Sequence, residues 1–587
     1  MVQKTKKEIK DFNPFIYEAA NYLTVDEILD YYISDFNYSR FLQSPRNIFL
    51  IGERGTGKTM TLRYNSVNVQ YAKAKYDGKK FEYDNIGIHV PCKTPLFEKN
   101  EYSLLDEDYQ AHILSEHYLV LSIISSICQS LLEINEIRES ELKLNKTLKL
   151  DMEYLLSIKL PSRYSFLESI LKFAEKESVK TQITSNTLGK NRIYKKAVSF
   201  SSLVLPFIKN LKQIPLLKNA HFSLMMDDAH DLNKYQTRSL NSWISYRDHT
   251  DFSFKVAVSK VYRPERITSN GGTILEGHDF TSIEMEKHFY NKKSDYSKMA
   301  KRILKKRLEK VDINSSPEFF FPINPSFSKG LKESEKFIIN EAKKKYKDKN
   351  QIYYYVYKYG RAEYFRRRDP KANLPPYSGL DIIIDISTGV VRNLLEPCFA
   401  MYDYELSNST NNTINKIPHS TQTKIILSKS NDAWVRLQQV GLDKEIEGCS
   451  TKQAKQVFQL FDNLMILFRE RLLHHKSLPR AIEFFISERD SKVMESIQPL
   501  LDISQKAQLL YTRLGSSKDQ GRKEIFYIPN RILLPSRGLD PQGQHDRAAI
   551  KAKDIYNAAF SNKKFPAEKK DTIKLKKQGN LFYENQW

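Results

Sequence analysis

A glycine-rich octapeptide that follows a short apolar run constrains this chain more than any other feature. The run, residues 47–51, ends at a glycine and predicts a buried strand. The octapeptide, residues 52–59, reads G-E-R-G-T-G-K-T and fits the pattern G-x-x-x-x-G-K-[ST] at every fixed position. A helical pattern follows, so the motif has the strand–loop–helix context that phosphate binding requires. The sequence therefore predicts a loop that binds a nucleoside triphosphate, with ATP and Mg²⁺ as the expected ligands.

Each residue type in this loop has a physical reason. Glycines at 52, 55 and 57 let the backbone curl until successive N–H groups point at phosphate oxygens. Lys58 brings a positive charge to the β- and γ-phosphates, and the Thr59 hydroxyl can ligate Mg²⁺. The predicted cofactor-binding residues are Gly52, Glu53, Arg54, Gly55, Thr56, Gly57, Lys58, Thr59 and Met60.

A pair of aspartates ends a later apolar run, S-L-M-M-D-D at 223–228. By itself the pair is typical of a strand end with two solvated acids. Downstream of a phosphate loop, however, the carboxyl end of a parallel strand is where ligands lie. We predict that Asp227 joins Thr59 at the metal ion and that Asp228 polarises the attacking water. Aspartate is one methylene shorter than glutamate at that position, so slow hydrolysis is expected.

The alternation of strands and helices predicts an α/β core with a parallel sheet. Further strand candidates lie at 85–92, 221–232, 252–259 and 279–286. The Leu-rich stretch at about 110–219 is expected to be a helical insertion, exposed from 143 to 196. The predicted domains are an N-terminal helical lead-in at 1–40, the core at 41–286, a helical lid at 287–405, a linker at 406–423, and a winged-helix-like α+β domain with a basic tail at 424–587.

Two further residues are candidates for catalytic roles. Ser259 ends the strand after the acidic pair, where a small polar side chain can sense the γ-phosphate. Arg392 lies in the first turn of a predicted helix, from which an arginine can reach the phosphates. The alternatives are an ordinary strand end and a solvated helix arginine.

Several segments follow one another in the order N-P-F, G-E-R-G-T-G-K-T, L-M-M-D-D-A-H, V-A-V-S and T-G-V-V-R-N-L-L-E. In this order the chain resembles the AAA+ ATPases of the origin-recognition type, including their bacterial relatives, over about residues 12–402. The resemblance implies that Lys58 and Thr59 belong to Walker A, Asp227 and Asp228 to Walker B, Ser259 to sensor 1 and Arg392 to sensor 2. The D-D-A-H segment is equally similar to the STAND signalling ATPases. Arg263 and Arg266 are the only candidates for an arginine finger.

The formal charge of +23 and the pI of about 9.4 favour a polyanionic partner such as DNA, RNA or a membrane surface, and we expect nucleic acid, most simply DNA. A composition rich in Lys, Asn, Ile and Tyr, as in AT-rich genomes, is the other explanation. The order helix–helix–hairpin after residue 450 is compatible with a winged helix whose loop residues Lys518, Arg522 and Lys523 track phosphates, or with a protein-binding module of the same fold. The segment 351–371 mixes Tyr with Lys and Arg, which suits base stacking or, as we prefer, a half-buried strand or part of the lid.

The four cysteines form no C-x-x-C pair, and the first eleven residues are polar, so we expect a cytoplasmic protein without a membrane segment. The main hypothesis is an ATP-driven switch on nucleic acid, in phage defence or replication control. The rival is a STAND-like scaffold that forms a homo-oligomer and recruits a partner effector. Metal-ligand spacing that would support a C-terminal nuclease is missing from the sequence.

Overall fold

A computed structural model describes residues 13–16, 20–34, 38–92, 108–185, 196–246, 250–261, 265–285, 295–368, 374–408, 414–473, 480–516, 523–542 and 546–566. The chain divides into two compact units. Unit 1 comprises Met1–Phe321 and Ser387–Ile417, and unit 2 comprises Pro322–Ile386 and Pro418–Trp587. The segment predicted as a lid is therefore shared between the units, and the predicted domain boundaries stay predictions.

Unit 1 contains a five-stranded sheet in the order β2-β3-β4-β1-β5. All four strand pairs are parallel. The strands are β1 (Ile48–Gly52), β2 (Asn85–Pro91), β3 (His221–Asp227), β4 (Phe252–Ser259) and β5 (Thr281–Glu284). β3 and β4 are buried along almost their whole length, as expected of strands that helices cover on both faces. The predicted α/β core with a parallel sheet is confirmed.

The α-helices, numbered in chain order, alternate with the strands in unit 1 and dominate the first half of unit 2. They are α1 (Val25–Tyr31), α2 (Tyr38–Leu42), α3 (Lys58–Tyr64), α4 (Val67–Tyr76), α5 (Asp108–Leu132), α6 (Asn135–Leu156), α7 (Phe166–Ser185), α8 (Leu205–Leu211), α9 (Lys234–Ile244), α10 (Asp295–Glu309), α11 (Pro317–Phe320), α12 (Pro325–Lys345), α13 (Lys349–Arg367), α14 (Leu380–Ile386), α15 (Val391–Asn408), α16 (His419–Val435), α17 (Thr451–Leu473), α18 (Ser491–Lys506) and α19 (Ala552–Phe560).

The helices between β2 and β3 belong to the main core of unit 1. Leu148 and Met152 of α6 and Phe166 and Ile170 of α7 are fully buried in the same apolar cluster as the sheet. The prediction of an exposed insertion at 143–196 is therefore wrong for these residues. The Leu–Lys pattern hid an amphipathic arrangement in which one side of each helix is buried and the other is charged.

One described helix is long and apolar enough, by length and composition, to cross a membrane. It covers Tyr109–Leu132 within α5, and 72% of its apolar window is buried inside the protein. A core helix meets the same criteria, so this helix is weak evidence for a membrane segment.

Unit 2 contains a mixed four-stranded sheet in the order β7-β8-β6-β9. The strands are β6 (Ala481–Ile486), β7 (Leu510–Ser516), β8 (Lys523–Pro529) and β9 (Asp546–Ile550). The predicted helices α17 and α18 and the predicted β7–β8 hairpin are present, which confirms an α+β region. β6 and β9 were not predicted, and the winged-helix assignment stays a prediction. Residues 351–367 form a helix, so the strand alternative for this segment is wrong.

A buried ion cluster ties distant parts of unit 2 together. Arg361 of α13 donates two hydrogen bonds to Asp540, at 2.7 and 3.0 Å, and Arg480, just before β6, also contacts this carboxylate. The Asp540 side chain is 1% exposed. Burial by itself raises the pKa of Asp540, but the two arginines outweigh it and hold the pKa below its ordinary value. The aspartate is therefore ionised and joins α13 to the sheet.

Replacing Asp540 with Asn is expected to destabilise unit 2 by about 3–5 kcal/mol, because two buried guanidinium groups lose their counter-charge. The matched control is Asp462→Asn, which removes an exposed pair with Arg537 and is expected to cost less than about 1 kcal/mol. Hydrogen–deuterium exchange in α13 and β6 measures the free energy of opening in both variants. Equal protection in the two variants would contradict the assigned importance of the cluster.

Candidate nucleotide-binding site

The predicted phosphate loop connects β1 to α3 and adopts a conformation that depends on glycine. Gly55 and Gly57 have φ angles of +85° and +96°, in the left-handed region that other residues avoid. Gly57 has open space on the side where a Cβ would be, so its backbone angle alone explains the glycine. The loop curls as the motif predicted.

Lys58 is the first residue of α3, and its side chain folds back over the loop. Its Nζ donates to the carbonyl oxygens of Gly52, at 2.8 Å, and Glu53, at 2.9 Å. The residue is only 5% exposed, yet it lines the cleft above the loop. These two backbone acceptors hold the ammonium group at the start of the loop.

The carboxylate of Asp227, at the end of β3, meets the first turn of α3. The Thr59 hydroxyl donates to Asp227 Oδ1 at 3.2 Å, and the backbone N–H of Asp228 donates to the same oxygen at 3.1 Å. The Nε2 atom of His89 lies 3.0 Å from the other oxygen, Oδ2. The two residues predicted to hold the metal ion are thus in direct contact.

Asp228 lines the cleft and has a φ of +51°. This left-handed conformation is strained for most residues, and aspartate and asparagine tolerate it best. The turn after β3 places Asp228 in the lining of the cleft, whereas Asp227 is 1% exposed and is not part of the lining as described.

The start of α15 packs directly against the phosphate loop. The backbone N–H of Arg392 donates to Gly55 O at 3.2 Å. A Cβ on Gly55 would lie 2.8 Å from the Arg392 Cβ and 3.0 Å from a Val390 methyl group. Gly55 is therefore required both by its φ angle and by this close approach, and it places the exposed Arg392 side chain at the cleft.

Ser259, the predicted sensor on β4, is the register partner of Gly52 on β1. It is 7% exposed, and it does not line the cleft as described. It lies beside the start of the phosphate loop, and its role stays a prediction.

The cleft over the loop has a volume of about 700 Å³. The lining includes seven of the predicted cofactor-binding residues: Arg54, Gly55, Thr56, Gly57, Lys58, Thr59 and Met60. Gly52 and Glu53, at the start of the loop, are not part of the lining as described. The lining also includes apolar and aromatic residues, namely Tyr22, Tyr31, Tyr32, Met299, Ile303 and Leu395. A polar loop joined to an apolar pocket suits a phosphorylated ligand with a flat base.

Several lining residues were not predicted from the sequence. Arg307 of α10 is 6% exposed, and its guanidinium carbon lies 3.6 Å from the centre of the Tyr31 ring. Arg63 of α3 holds the lining segment at 20–23 through the Leu23 carbonyl, at 2.8 Å. His230, in the turn after β3, also lines the cleft, and burial lowers its pKa. No sequence motif identifies these residues, because only the tertiary fold brings each of them to the cleft.

Arg266, one of the two candidates for an arginine finger, does not line this cleft as described. Arg266 forms an ion pair with Glu276 at 3.7 Å, with both side chains about half exposed. Arg263 lies outside the described residues.

The donor atoms present fit a magnesium–triphosphate ligand. Within the described ranges, no group of three or more His, Cys, Asp or Glu side chains could hold a metal ion. Mg²⁺ does not need such a group, since it usually takes one or two protein oxygens together with phosphates and water. The Thr59 hydroxyl and the Asp227 carboxylate are the oxygens that would hold the ion, and the ammonium group of Lys58 would contact the phosphates instead.

A family model described as ORC-CDC6-like matches residues 13–346 and 320–549. The chain belongs to this ORC-CDC6-like family. The resemblance seen in the motifs is thereby confirmed, and proteins of this AAA+ type are generally ATPases. ATP and Mg²⁺ are the ligands that the family implies.

Among solved structures, the crystal structure of Cdc6p from Pyrobaculum aerophilum is similar at 10% identity. The alignment covers 90% of this chain and 96% of that one, with a TM-score of 0.29. Because the TM-score is low, the fold is assigned from the strand order and register described above and not from this similarity. No curated protein matches the chain.

Replacing Gly55 with Ala is expected to weaken Mg·ATP binding by about tenfold or more, because the new methyl group would push α15 away from the loop. Gly78→Ala is the matched control, since Gly78 also has a positive φ, +66°, but nothing lies within 4 Å of its Cβ position. Titration with a fluorescent ATP analogue measures both variants. Unchanged affinity in Gly55→Ala would show that the contact with α15 does not shape the site.

Proposed function

We propose that this ORC-CDC6-like protein is a slow ATPase that acts as a nucleotide-dependent switch on DNA. The observation that carries the proposal is the 3.2 Å hydrogen bond between Thr59 and Asp227. Thr59 lies in the phosphate loop next to Lys58, and Asp227 lies at the end of β3. A cation, a hydroxyl and a carboxylate at one phosphate loop are the groups that phosphoryl transfer requires, and they support the proposal.

In the proposed reaction, Lys58 binds oxygens of the β- and γ-phosphates and stabilises the charge that develops on them. Thr59 and Asp227 hold the metal ion, which when bound neutralises phosphate charge. Asp228 accepts a hydrogen bond from the attacking water, and Arg392 contacts the phosphates from the start of α15. The Asp228 side chain is one methylene shorter than that of the usual glutamate. Its carboxylate therefore holds this water less closely, and turnover is slow.

The proposed DNA contact uses a helical hairpin in unit 2, formed by α12 and α13. Over residues 325–367 the sequence has twelve lysines and arginines against five aspartates and glutamates. The two helices pack tightly, since a Cβ on Gly330 would lie 2.7 Å from the ring of Tyr364. The hairpin is therefore a rigid, positively charged element, which suits a polyanionic partner.

One face of α13 combines aromatic rings with lysines. Tyr353, Tyr354 and Tyr357 are 74%, 38% and 48% exposed. Lys349 and Lys358 lie one turn from Tyr353 and Tyr354, and the Lys358 ammonium is 4.2 Å from the Tyr354 ring centre. We call these five residues the α13 tyrosine–lysine face. Rings that stack on bases and cations that contact phosphates are the usual combination for single-stranded nucleic acid.

Of the two pathways considered, the family assignment favours replication control over phage defence. The rival hypothesis, a STAND-like scaffold that forms a homo-oligomer and recruits a partner effector, predicts tight nucleotide binding, little turnover and no DNA binding. The two experiments that follow separate these alternatives.

In an ATPase assay, Lys58→Ala is expected to lose both nucleotide binding and turnover, whereas Asp228→Asn is expected to keep binding and lose turnover by about 100-fold or more. Asn fits the left-handed backbone at 228 as well as Asp does, so this exchange changes the chemistry and not the fold. Turnover that matches wild type in both variants would refute the catalytic assignment.

In fluorescence anisotropy with single- and double-stranded DNA, the pair Lys349→Glu and Lys358→Glu is expected to weaken binding by about tenfold or more and to lower the salt slope by about two. The matched control, Lys329→Glu with Lys332→Glu, makes the same charge change on α12. Loss of affinity that is equal in the two double variants would show that the α13 tyrosine–lysine face is not the contact.

A further inference from the structure

His89 lies on β2, the edge strand next to β3. The register pairs His89 with Met225 and Pro91 with Asp227, so the histidine lies two residues before the level of the aspartate. Its Nε2 atom reaches the Oδ2 atom of Asp227 at 3.0 Å. The histidine side chain is 15% exposed and that of the aspartate 1%, so the contact is nearly enclosed.

The alternation of β2 explains why a histidine can occupy this position. Ile86, Ile88 and Val90 are fully buried in the main core. Gly87 and His89 point to the opposite face of the sheet, as residues two apart on a strand must. On that face a Cβ at Gly87 would lie only 2.2 Å from the carbonyl oxygen of Asn65, at the end of α3. The C-terminal end of α3 therefore lies against β2 at the glycine, on the face of the sheet to which His89 points.

This position accounts for both oxygens of the Asp227 carboxylate. An ionised carboxylate only accepts hydrogen bonds, so the Nε2–H group of His89 donates to Oδ2. Oδ1 accepts from the Thr59 hydroxyl and from the Asp228 backbone. With one oxygen held from each side, the plane of the carboxylate is fixed. Loss of the His89 bond would allow the carboxylate to rotate about its last bond, away from Thr59.

We propose that His89 is a positioning residue, which orients the Asp227 carboxylate for the metal ion that accompanies the nucleotide. It touches neither nucleotide nor metal in this role, and it acts only through Asp227. Residues of this kind, hydrogen-bonded to a metal-binding carboxylate, typically change metal affinity by about 10–100-fold when removed. The proposal rests on the proposed function, because it requires that Asp227 serves a metal ion.

The test compares the affinity of a fluorescent ATP analogue with excess Mg²⁺ and with EDTA, for wild type, His89→Ala and His89→Gln. We expect His89→Ala to lose most of the affinity gained from Mg²⁺, with an Mg²⁺ requirement raised about 10–100-fold, while its affinity in EDTA equals that of wild type. The Gln side chain can place an N–H donor where Nε2 was, so His89→Gln is expected to recover most of the Mg²⁺ effect.

Two results would overturn the proposal. One is an Mg²⁺ dependence in His89→Ala that equals wild type. The other is an equal fall of the affinities with Mg²⁺ and with EDTA in both variants, which would indicate damage to the fold. A wild-type protein that binds the analogue without any help from Mg²⁺ would instead refute the proposed function at its metal site, and with it the role of His89.

Discussion

The hydrogen bond between Thr59 and Asp227 is the constraint on which the rest of the site depends. It joins residues 168 positions apart in the sequence. The two meet because all strands of the unit 1 sheet run in the same direction, so the loop after β1 and the end of β3 emerge at one edge. An antiparallel β3 would put Asp227 at the opposite edge, about 20 Å away for a strand of this length. The strand directions therefore determine the chemistry.

A second constraint is the close approach of α15 to the loop at Gly55. The segments that line the cleft include the N-terminal region, the phosphate loop, the turn after β3, α10 and α15, all within unit 1. The chain leaves unit 1 at Phe321, soon after α10, and re-enters at Ser387, shortly before α15. In the proposed switch, a change of the bound nucleotide would act on the same two segments through which the chain continues into unit 2.

The sequence was informative where local rules decide the outcome. The octapeptide predicted the loop at Gly55, Gly57 and Lys58, since only certain residue types can form it. The apolar run before Asp227 predicted the end of a strand. Contacts between distant segments were not predictable. His89 follows the ordinary alternation of β2, and nothing in that pattern indicates a carboxylate on the next strand. The alternating tyrosines from 353 to 359 suggested a strand, but the segment forms a helix that packs on α12.

The most direct test of this account is the position of the metal ion itself. Crystals grown with a non-hydrolysable ATP analogue and Mn²⁺ in place of Mg²⁺ would reveal the ion by its anomalous scattering. The account predicts one peak beside the phosphates, in direct contact with the Thr59 hydroxyl and next to the Asp227 carboxylate. A nucleotide bound elsewhere, or an ion that contacts neither residue, would contradict it.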